Sequence, residues 1–348
     1  MTRALDTFLR SVNLRLDLAE PQRLAHFRPT NKSVQVTEAI ARGEPSSASM
    51  VVAAYGSGKS IAAGTGALLV ENAPEAQDVI ETLTTRLDGV APTVATFARE
   101  RARQNQRGAA IVLEGAQADP LGALLGAAEV RLGKLPLKRE QRANPIPVLD
   151  AIHEAAQRQG CDRVAFIWDE FGRHLETLAT EGRPEELAVI QQMAEWAVRQ
   201  EAPTATVTLL LHQGFFHYAD TLSQSARSAW RKIEGRFEAI RFVDDSRQMQ
   251  ELIAWVVAQS RTVDLASPER EILKEAASRA QHLGYFDGFP DPDTLAETLE
   301  RAYPLRPVVL YLLPRIAARM AQNERTVFSF LNGIDLSQQV TLNDLFDG

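Results

Sequence analysis

From its start to about residue 245, the hydrophobic pattern of the chain alternates between short apolar runs and longer stretches with helical spacing. Short apolar runs bounded by turn-forming residues are typical of buried strands. They predict strands at Met50–Ala54, Ala109–Leu113, Val164–Trp168, Thr204–Leu211 and Ile240–Val243. The helical spacing predicts helices at Val34–Ala41, after residue 60, and at Pro120–Leu132, Pro147–Gln159 and Pro184–Arg199.

After Asp245 the apolar positions keep only the helical spacing, which predicts helices over 246–260, 268–282, 293–301 and 307–321. Strands that alternate with helices predict an α/β domain with a parallel sheet, and the later helices predict a second, all-helical domain. The expected division is a helical lead-in at 1–45, an α/β core at 46–245, a helical domain at 246–331 and the start of a further element or a tail at 332–348. The last of these follows from Thr341–Asp344, which resembles a capping box.

Composition and charge narrow the class of protein. The chain has 348 residues, which corresponds to about two domains, and 45% hydrophobic with 24% charged residues is typical of a globular protein. The net charge of −7 argues against a uniformly basic nucleic-acid binder but leaves local basic patches open. The single cysteine, Cys161, excludes an internal disulfide, and no apolar run approaches the length of a membrane span. We therefore expect a cytoplasmic protein with no membrane partner.

A candidate phosphate-binding loop follows the first predicted strand. Residues 53–60, Ala-Ala-Tyr-Gly-Ser-Gly-Lys-Ser, match the Gly-x-x-x-x-Gly-Lys-Ser/Thr pattern except that Ala53 replaces the first glycine. In this pattern Lys59 reaches the β- and γ-phosphates of ATP, and the Ser60 hydroxyl is a ligand of Mg²⁺. The alternative is a chance match in a solvated loop, which the preceding strand and following helix disfavour. The expected nucleotide-binding residues here are Tyr55, Gly56, Ser57, Gly58, Lys59, Ser60 and Ile61.

An acidic pair follows the third predicted strand. In Phe166-Ile-Trp-Asp-Glu170 the apolar strand ends in two carboxylates, which is the Walker B pattern. We expect Asp169 to bind the nucleotide-associated Mg²⁺ and Glu170 to polarise the attacking water. We also expect the phosphate loop and this pair to meet on adjacent strand ends, close enough to share one magnesium ion.

The strand that ends at Leu211 carries His212 and Gln213 directly after it. In a P-loop core with an additional strand, this strand lies between the phosphate loop and the Walker B strand. Gln213 is the preferred residue to orient water against the γ-phosphate, because an amide both donates and accepts hydrogen bonds. His212 is the alternative, either in that role or bound to a local backbone group.

Two arginines are candidates for contacts with phosphate. Arg236 lies just before the last predicted strand, where ring-forming ATPases carry an arginine that reaches a neighbouring subunit. The alternative is a surface arginine paired with Glu234 or Glu238. Arg306 begins a helix of the second domain and is a candidate γ-phosphate contact, although a solvated arginine is the preferred alternative. Arg315 and Arg319 compete with it on that helix. Arg325 is a further candidate contact to nucleotide or partner, but the preferred interpretation of its segment is a capped helix that packs on the lid.

These segments together resemble a known family. Tyr-Gly-Ser-Gly-Lys-Ser, Asp169-Glu-Phe-Gly-Arg-His-Leu-Glu176, Leu211-His-Gln213, Gly235-Arg-Phe237 and Gln322-Asn-Glu-Arg325 are similar to segments of large bacterial AAA+ ATPases. The likeness is to the origin-recognition and STAND branch and to the ATPases of BREX-type phage-defence islands, and it covers roughly residues 30–331. It implies a P-loop NTPase core of the ASCE type, a helical lid, ATP and Mg²⁺ as cofactors, and a homo-oligomer or larger defence complex. Typical members are several times longer, so a fragment, a split gene or an ATPase subunit is expected.

Three functions are compatible with these patterns. The first is an ATPase motor or switch that works on DNA, in anti-phage defence. The second is a nucleotide-gated scaffold with little hydrolysis that recruits a partner protein. The third is a relative of replication initiators and helicase loaders that binds duplex DNA. The basic stretch 131–142 could serve such a contact, or it could be a solvated linker.

Overall fold

The computed structural model describes residues 13–53, 58–181, 184–214, 218, 224–241, 246–261, 263–320 and 327–347. The described residues form two compact units, one on each side of residues 242–245. The first unit holds a parallel sheet flanked by helices, and the second is helical. The predicted boundary near residue 245 lies next to this division.

A five-stranded parallel sheet forms the centre of the first unit. Its strands are β1 (Ala48–Val52), β2 (Arg107–Glu114), β3 (Cys161–Asp169), β4 (Thr204–Leu211) and β5 (Glu238–Arg241). Their order across the sheet is β2-β3-β4-β1-β5, and every neighbouring pair is parallel. Because all strands run the same way, the carboxyl ends of β1, β3 and β4 lie at one edge of the sheet.

The order of the strands in the sheet confirms one expectation from the sequence and contradicts another. β4 pairs with β1 on one side and with β3 on the other. The intermediate position predicted for the strand that precedes His212 is therefore confirmed. The expectation that the phosphate loop and the acidic pair follow adjacent strands is wrong, because β4 separates β1 from β3. The sequence pattern gives the strands but not their order, since pairing joins residues far apart in the chain.

Helices cover both faces of the sheet. In the first unit they are α1 (Leu14–Ala19), α2 (Asn31–Arg42), α3 (Lys59–Glu71), α4 (Gln77–Asp88), α5 (Pro92–Arg103), α6 (Pro120–Leu132), α7 (Pro145–Arg158), α8 (Phe171–Glu181), α9 (Ala188–Ala197) and α10 (Gln224–Glu234). Short 3₁₀ turns lie at Pro21–His26, Pro74–Ala76, Gln141–Ala143 and Pro184–Leu187. Two apolar clusters, one on each face, fill the space between sheet and helices.

The lead-in segment packs directly on α3, the helix that follows β1. Gly64 of α3 makes the close approach possible, because a Cβ atom at this position would lie 2.9 Å from Leu24 and 3.5 Å from Leu14. Both leucines are fully buried. Gly66 plays the same part toward α2, where an added Cβ would lie 2.9 Å from Ile40. The described part of the lead-in thus belongs to the first unit.

The second unit is built from helices around their own apolar core. They are α11 (Ser246–Ser260), α12 (Ser267–His282), α13 (Pro292–Ala302), α14 (Pro307–Met320), α15 (Val327–Gly333) and α16 (Leu342–Asp347). The backbone N–H of Arg306 donates to the carbonyl of Val340, and the N–H of Val340 donates to the carbonyl of Pro304, so the chain end joins this core. The backbone N–H of Thr341 donates to Oδ2 of Asp344 at 2.7 Å, which is one of the two hydrogen bonds of the expected capping box.

The α/β class with a parallel sheet is confirmed, and several elements match their predicted bounds. β4, α6 and α11 begin and end where the pattern places them. The predicted helix 184–199 is wrong in its first turn, which is a 3₁₀ turn before α9. The last strand begins two residues earlier than predicted, at Glu238. None of the helices in the described part of the chain combines the length and apolar character that crossing a bilayer requires.

Candidate functional site

The end of β1 leads into α3 through a glycine in the left-handed region. Gly58 has φ +86° and is the N-cap of α3, which begins at Lys59. The first turn of α3 contains no acidic residue and no side-chain cap. Its N–H groups and helix dipole therefore favour an anion at this end. Ser60 and Ile61 follow on the same turn and are partly buried, whereas Tyr55, Gly56 and Ser57 lie outside the described residues.

Lys59 is buried beside the acidic pair that follows β3. Only 6% of its surface is exposed. Burial lowers the pKa of Lys59, and the negative charges of Asp169 and Glu170 oppose this by favouring the protonated form. The structure therefore brings three predicted site residues into electrostatic reach of one another, although their strands are not neighbours. A buried ammonium group at a helix N-terminus fits a polyphosphate anion.

Asp169 and Glu170 are neighbours with different surroundings. Asp169 is the last residue of β3 and is 2% exposed, whereas the side chain of Glu170 is 30% exposed. Glu170 has φ +51°, a conformation that costs a non-glycine residue energy. Its N–H donates to Oδ1 of Asp169 at 2.8 Å, and its carbonyl accepts the N–H of Arg173 at 3.0 Å. The two carboxylates therefore differ in their exposure to solvent.

The end of β4 places His212 in the same neighbourhood. Its Nδ1 lies 3.1 Å from the hydroxyl of Tyr218, and its Nε2 lies 3.8 Å from the carboxylate of Glu176. Burial lowers the pKa of His212, and the positive charges of Lys59 and Arg173 lower it further. Gln213 follows directly and is partly buried. The role of Gln213 as the residue that orients water stays a prediction.

A third carboxylate lies at this edge of the sheet, and the sequence pattern did not indicate it. Glu114 ends β2 in register with Asp169. Burial raises the pKa of Glu114, and the charges of Asp169 and Glu170 raise it further. The amide of Asn13 donates to both oxygens of Glu114, at 3.0 and 3.1 Å. In the sequence, Glu114 directly follows the predicted strand Ala109–Leu113. That position alone does not indicate a site residue, because only the pairing of β2 with β3 shows that Glu114 lies beside Asp169.

The loop after β2 is held close to the acidic pair. Gly115 has φ +66°, and a Cβ atom at this position would lie 4.0 Å from Oε2 of Glu170. The indole N–H of Trp168 donates to the carbonyl of Gly115 at 2.8 Å. His174 stacks on Trp168 with ring centroids 4.7 Å apart, and its Nδ1 accepts the N–H of Gln117. This network positions the loop from β3 and α8.

The two candidate arginines occupy different places. Arg236 lies between α10 and β5 and is half exposed, and its Nε is 3.2 Å from the carboxylate of Glu195 on α9. The expected alternative partners, Glu234 and Glu238, are therefore wrong, because the fold brings α9 beside this turn. Arg306 precedes α14 in the second unit. The proposed phosphate contacts of both stay predictions.

Of the other arginines considered as phosphate contacts, the structure describes the side chain of Arg315. The guanidinium of Arg315 folds back over the ring of Tyr311, 3.8 Å from its centroid, and donates to the carbonyl of the same residue. Arg325 and the side chain of Arg319 lie outside the described part of the structure.

The donor set fits a magnesium ion bound together with nucleotide. Within the described residues, no three or more His, Cys, Asp or Glu side chains are grouped to hold a metal ion by themselves. Magnesium in phosphoryl-transfer sites keeps several waters and takes one or two protein ligands beside the phosphates. The Ser60 hydroxyl and the Asp169 carboxylate match that requirement.

The chain matches no protein-family model, and no curated protein matches it significantly.

Proposed function

We propose that the chain is a P-loop ATPase of the AAA+-like, ASCE type, which binds ATP and Mg²⁺ at the edge of the sheet where β1, β3 and β4 end. The observation that carries the proposal is the buried Lys59 at the start of α3, within electrostatic reach of Asp169 and Glu170. The strand order supports it, since β4 separates the strand before Lys59 from the strand of the acidic pair. The helical second unit is proposed as the lid.

Each residue has a distinct part in the proposed reaction. The N–H groups at the start of α3 and the Lys59 ammonium bind the phosphates and offset their charge. Bound Mg²⁺ would neutralise charge on the phosphate oxygens, with Ser60 and Asp169 as its protein ligands. The Glu170 carboxylate accepts a proton from the attacking water. Arg236 of a neighbouring subunit is proposed to contact the transferring group.

The test combines binding and turnover. Calorimetric titration of the full chain with ATP and Mg²⁺ should give saturable heat, and phosphate release should accompany it. Lys59→Ala should weaken ATP binding about 10- to 100-fold, because a charge-assisted contact is removed. Lys134→Ala, at an exposed position outside the site, is the matched control.

Two results of this test separate the alternative functions. Equal ATP affinity for wild type and Lys59→Ala would overturn the proposed site, provided both proteins unfold at similar temperatures. Tight binding with no phosphate release would favour the nucleotide-gated scaffold. Association with DNA and a role in anti-phage defence rest on the resemblance and stay predictions, which adding duplex DNA to the turnover assay begins to test.

A further inference from the structure

Arg173 lies at the start of α8, directly beside the proposed base. Its Nη1 is 3.1 Å from Oε2 of Glu170, three positions earlier in the chain. Its backbone N–H also donates to the carbonyl of Glu170 at 3.0 Å. The helix start therefore fixes the backbone of Arg173, while 54% of its side chain is exposed. The ion pair of the guanidinium with Glu170 therefore lies partly in solvent.

The charge of Arg173 acts on the same group as the charge of Lys59. Both cations depress the pKa of His212, which follows β4. The two cations differ in exposure, since Lys59 is buried whereas the side chain of Arg173 is half exposed. Glu170 interacts with both of them. Two positive groups thus flank the place where the proposed function puts the phosphates.

The ion pair between Arg173 and Glu170 is replaceable. A partly exposed ion pair between residues three apart in the chain contributes little to stability, because water screens both charges. A terminal phosphate group carries more charge than a carboxylate and offers several oxygens to the planar guanidinium, which binds such groups in a bidentate manner. A phosphate group within reach would therefore compete well for Arg173.

We infer that Arg173 is a nucleotide-contacting residue that exchanges Glu170 for the terminal phosphate of a bound nucleoside triphosphate. The inference rests on the proposed function and assigns a further residue to the same site. It makes the exchange specific to the triphosphate, since a diphosphate lacks the group that Arg173 contacts. The exchange also frees the Glu170 carboxylate from its ion pair at the moment when a water has to be activated.

The test measures binding, so it does not depend on turnover. ADP and a triphosphate analogue with an imido group between the β- and γ-phosphates are titrated with Mg²⁺ into wild type, Arg173→Ala and Arg173→Lys. Arg99→Ala is the matched control, because Arg99 is 52% exposed and also pairs with a carboxylate, Asp88. Thermal unfolding of each variant shows whether the fold is intact.

Arg173→Ala should weaken binding of the triphosphate analogue about tenfold or more and leave ADP affinity within about twofold. Arg173→Lys should retain part of the preference, since it keeps the charge and loses the planar fork. Arg99→Ala should bind both nucleotides as wild type does. Equal losses for both nucleotides, or no loss for either, would overturn the inference while leaving the ATP site in place. Wild type that binds neither nucleotide would overturn the site and the inference together.

Discussion

The backbone N–H of Glu170 donates a 2.8 Å hydrogen bond to Oδ1 of Asp169, its neighbour at the end of β3. This bond accompanies the left-handed backbone of Glu170 at φ +51°. It occupies one Asp169 oxygen, and the side chain of Glu170 is 30% exposed whereas Asp169 is 2% exposed. A fixed, buried carboxylate suits a metal ligand, and a more accessible one suits a base that meets water. This difference agrees with the proposed roles of Asp169 as a metal ligand and Glu170 as the base.

Glu170→Gln should slow phosphate release about 10²- to 10⁴-fold while ATP binding is retained, because an amide cannot accept the proton of the attacking water. Calorimetry for binding and a phosphate-release assay for turnover measure the two effects separately. Glu154→Gln, on the exposed face of α7, is the control. Unchanged turnover in the Glu170 variant would remove this residue from the mechanism.

Mixing two inactive variants tests whether Arg236 acts between subunits. Glu170→Gln and Arg236→Ala should each be slow alone. A mixture should recover part of the wild-type turnover, because some interfaces then combine an intact Glu170 with an intact Arg236 of the neighbour. The Arg236 pair with Glu195 is half exposed, so its loss should change stability by about 1 kcal/mol or less. A mixture no faster than the average of its components would exclude action between subunits.

Gly172→Ala should disturb the contact between His212 and Tyr218. A Cβ atom at Gly172 would lie 2.1 Å from the Tyr218 hydroxyl and 3.1 Å from Cε1 of His212, so both side chains have to move. We expect a destabilisation of about 1–3 kcal/mol, measured by denaturant unfolding, and slower turnover.

The matched control for that substitution is Gly126→Ala in the middle of α6, where an added Cβ meets nothing within 4 Å. It should stabilise the protein by about 0.5–1 kcal/mol, since alanine is the better helix former. Adding Tyr218→Phe to Gly172→Ala removes the closest atom and should restore part of the stability. An undisturbed Gly172→Ala protein would contradict the packing described around His212.

The buried Glu71 should make stability depend on pH. Burial raises the pKa of Glu71 from 4.5 to about 7, against the favourable charge of Arg131, whose Nε is 2.9 Å away. Between pH 4.5 and 7 the folded protein holds a proton that the unfolded chain releases, so stability falls as pH rises through this window. The difference in pKa corresponds to about 3 kcal/mol as an upper limit.

Unfolding free energies of wild type and Glu71→Gln, measured from pH 4.5 to 7.5, check this expectation. Wild type should lose stability relative to the variant as pH rises, because the glutamine cannot ionise. Glu81→Gln, at an exposed position on α4, should show no such trend. Parallel curves for wild type and Glu71→Gln would show that Glu71 does not titrate in this window.

The sequence pattern did not predict the helices α8 and α10. α10 carries the sequence Gln-Ser-Ala-Arg-Ser-Ala-Trp-Arg-Lys-Ile-Glu, in which Trp230 and Ile233 are the large apolar residues and both are buried. Two such residues give too weak a periodic signal to separate a helix from a loop. α8 begins directly after the acidic pair, where the sequence was interpreted as a Walker B motif and no helix was predicted. In both cases packing in the apolar core of the first unit supplies the stability that the local pattern does not reveal.

The sequence motifs were sufficient to predict the strands and the chemistry at their ends. They predicted that Lys59, Asp169 and Glu170 lie near one another, because parallel strands end at a common edge. The strand order and the side-chain partners of most residues came from the tertiary structure alone. Asn13 meets Glu114 across 101 positions, and Arg236 meets Glu195 rather than its neighbours in sequence. Such contacts depend on the order in which strands and helices pack, and local periodicity carries no information about that order.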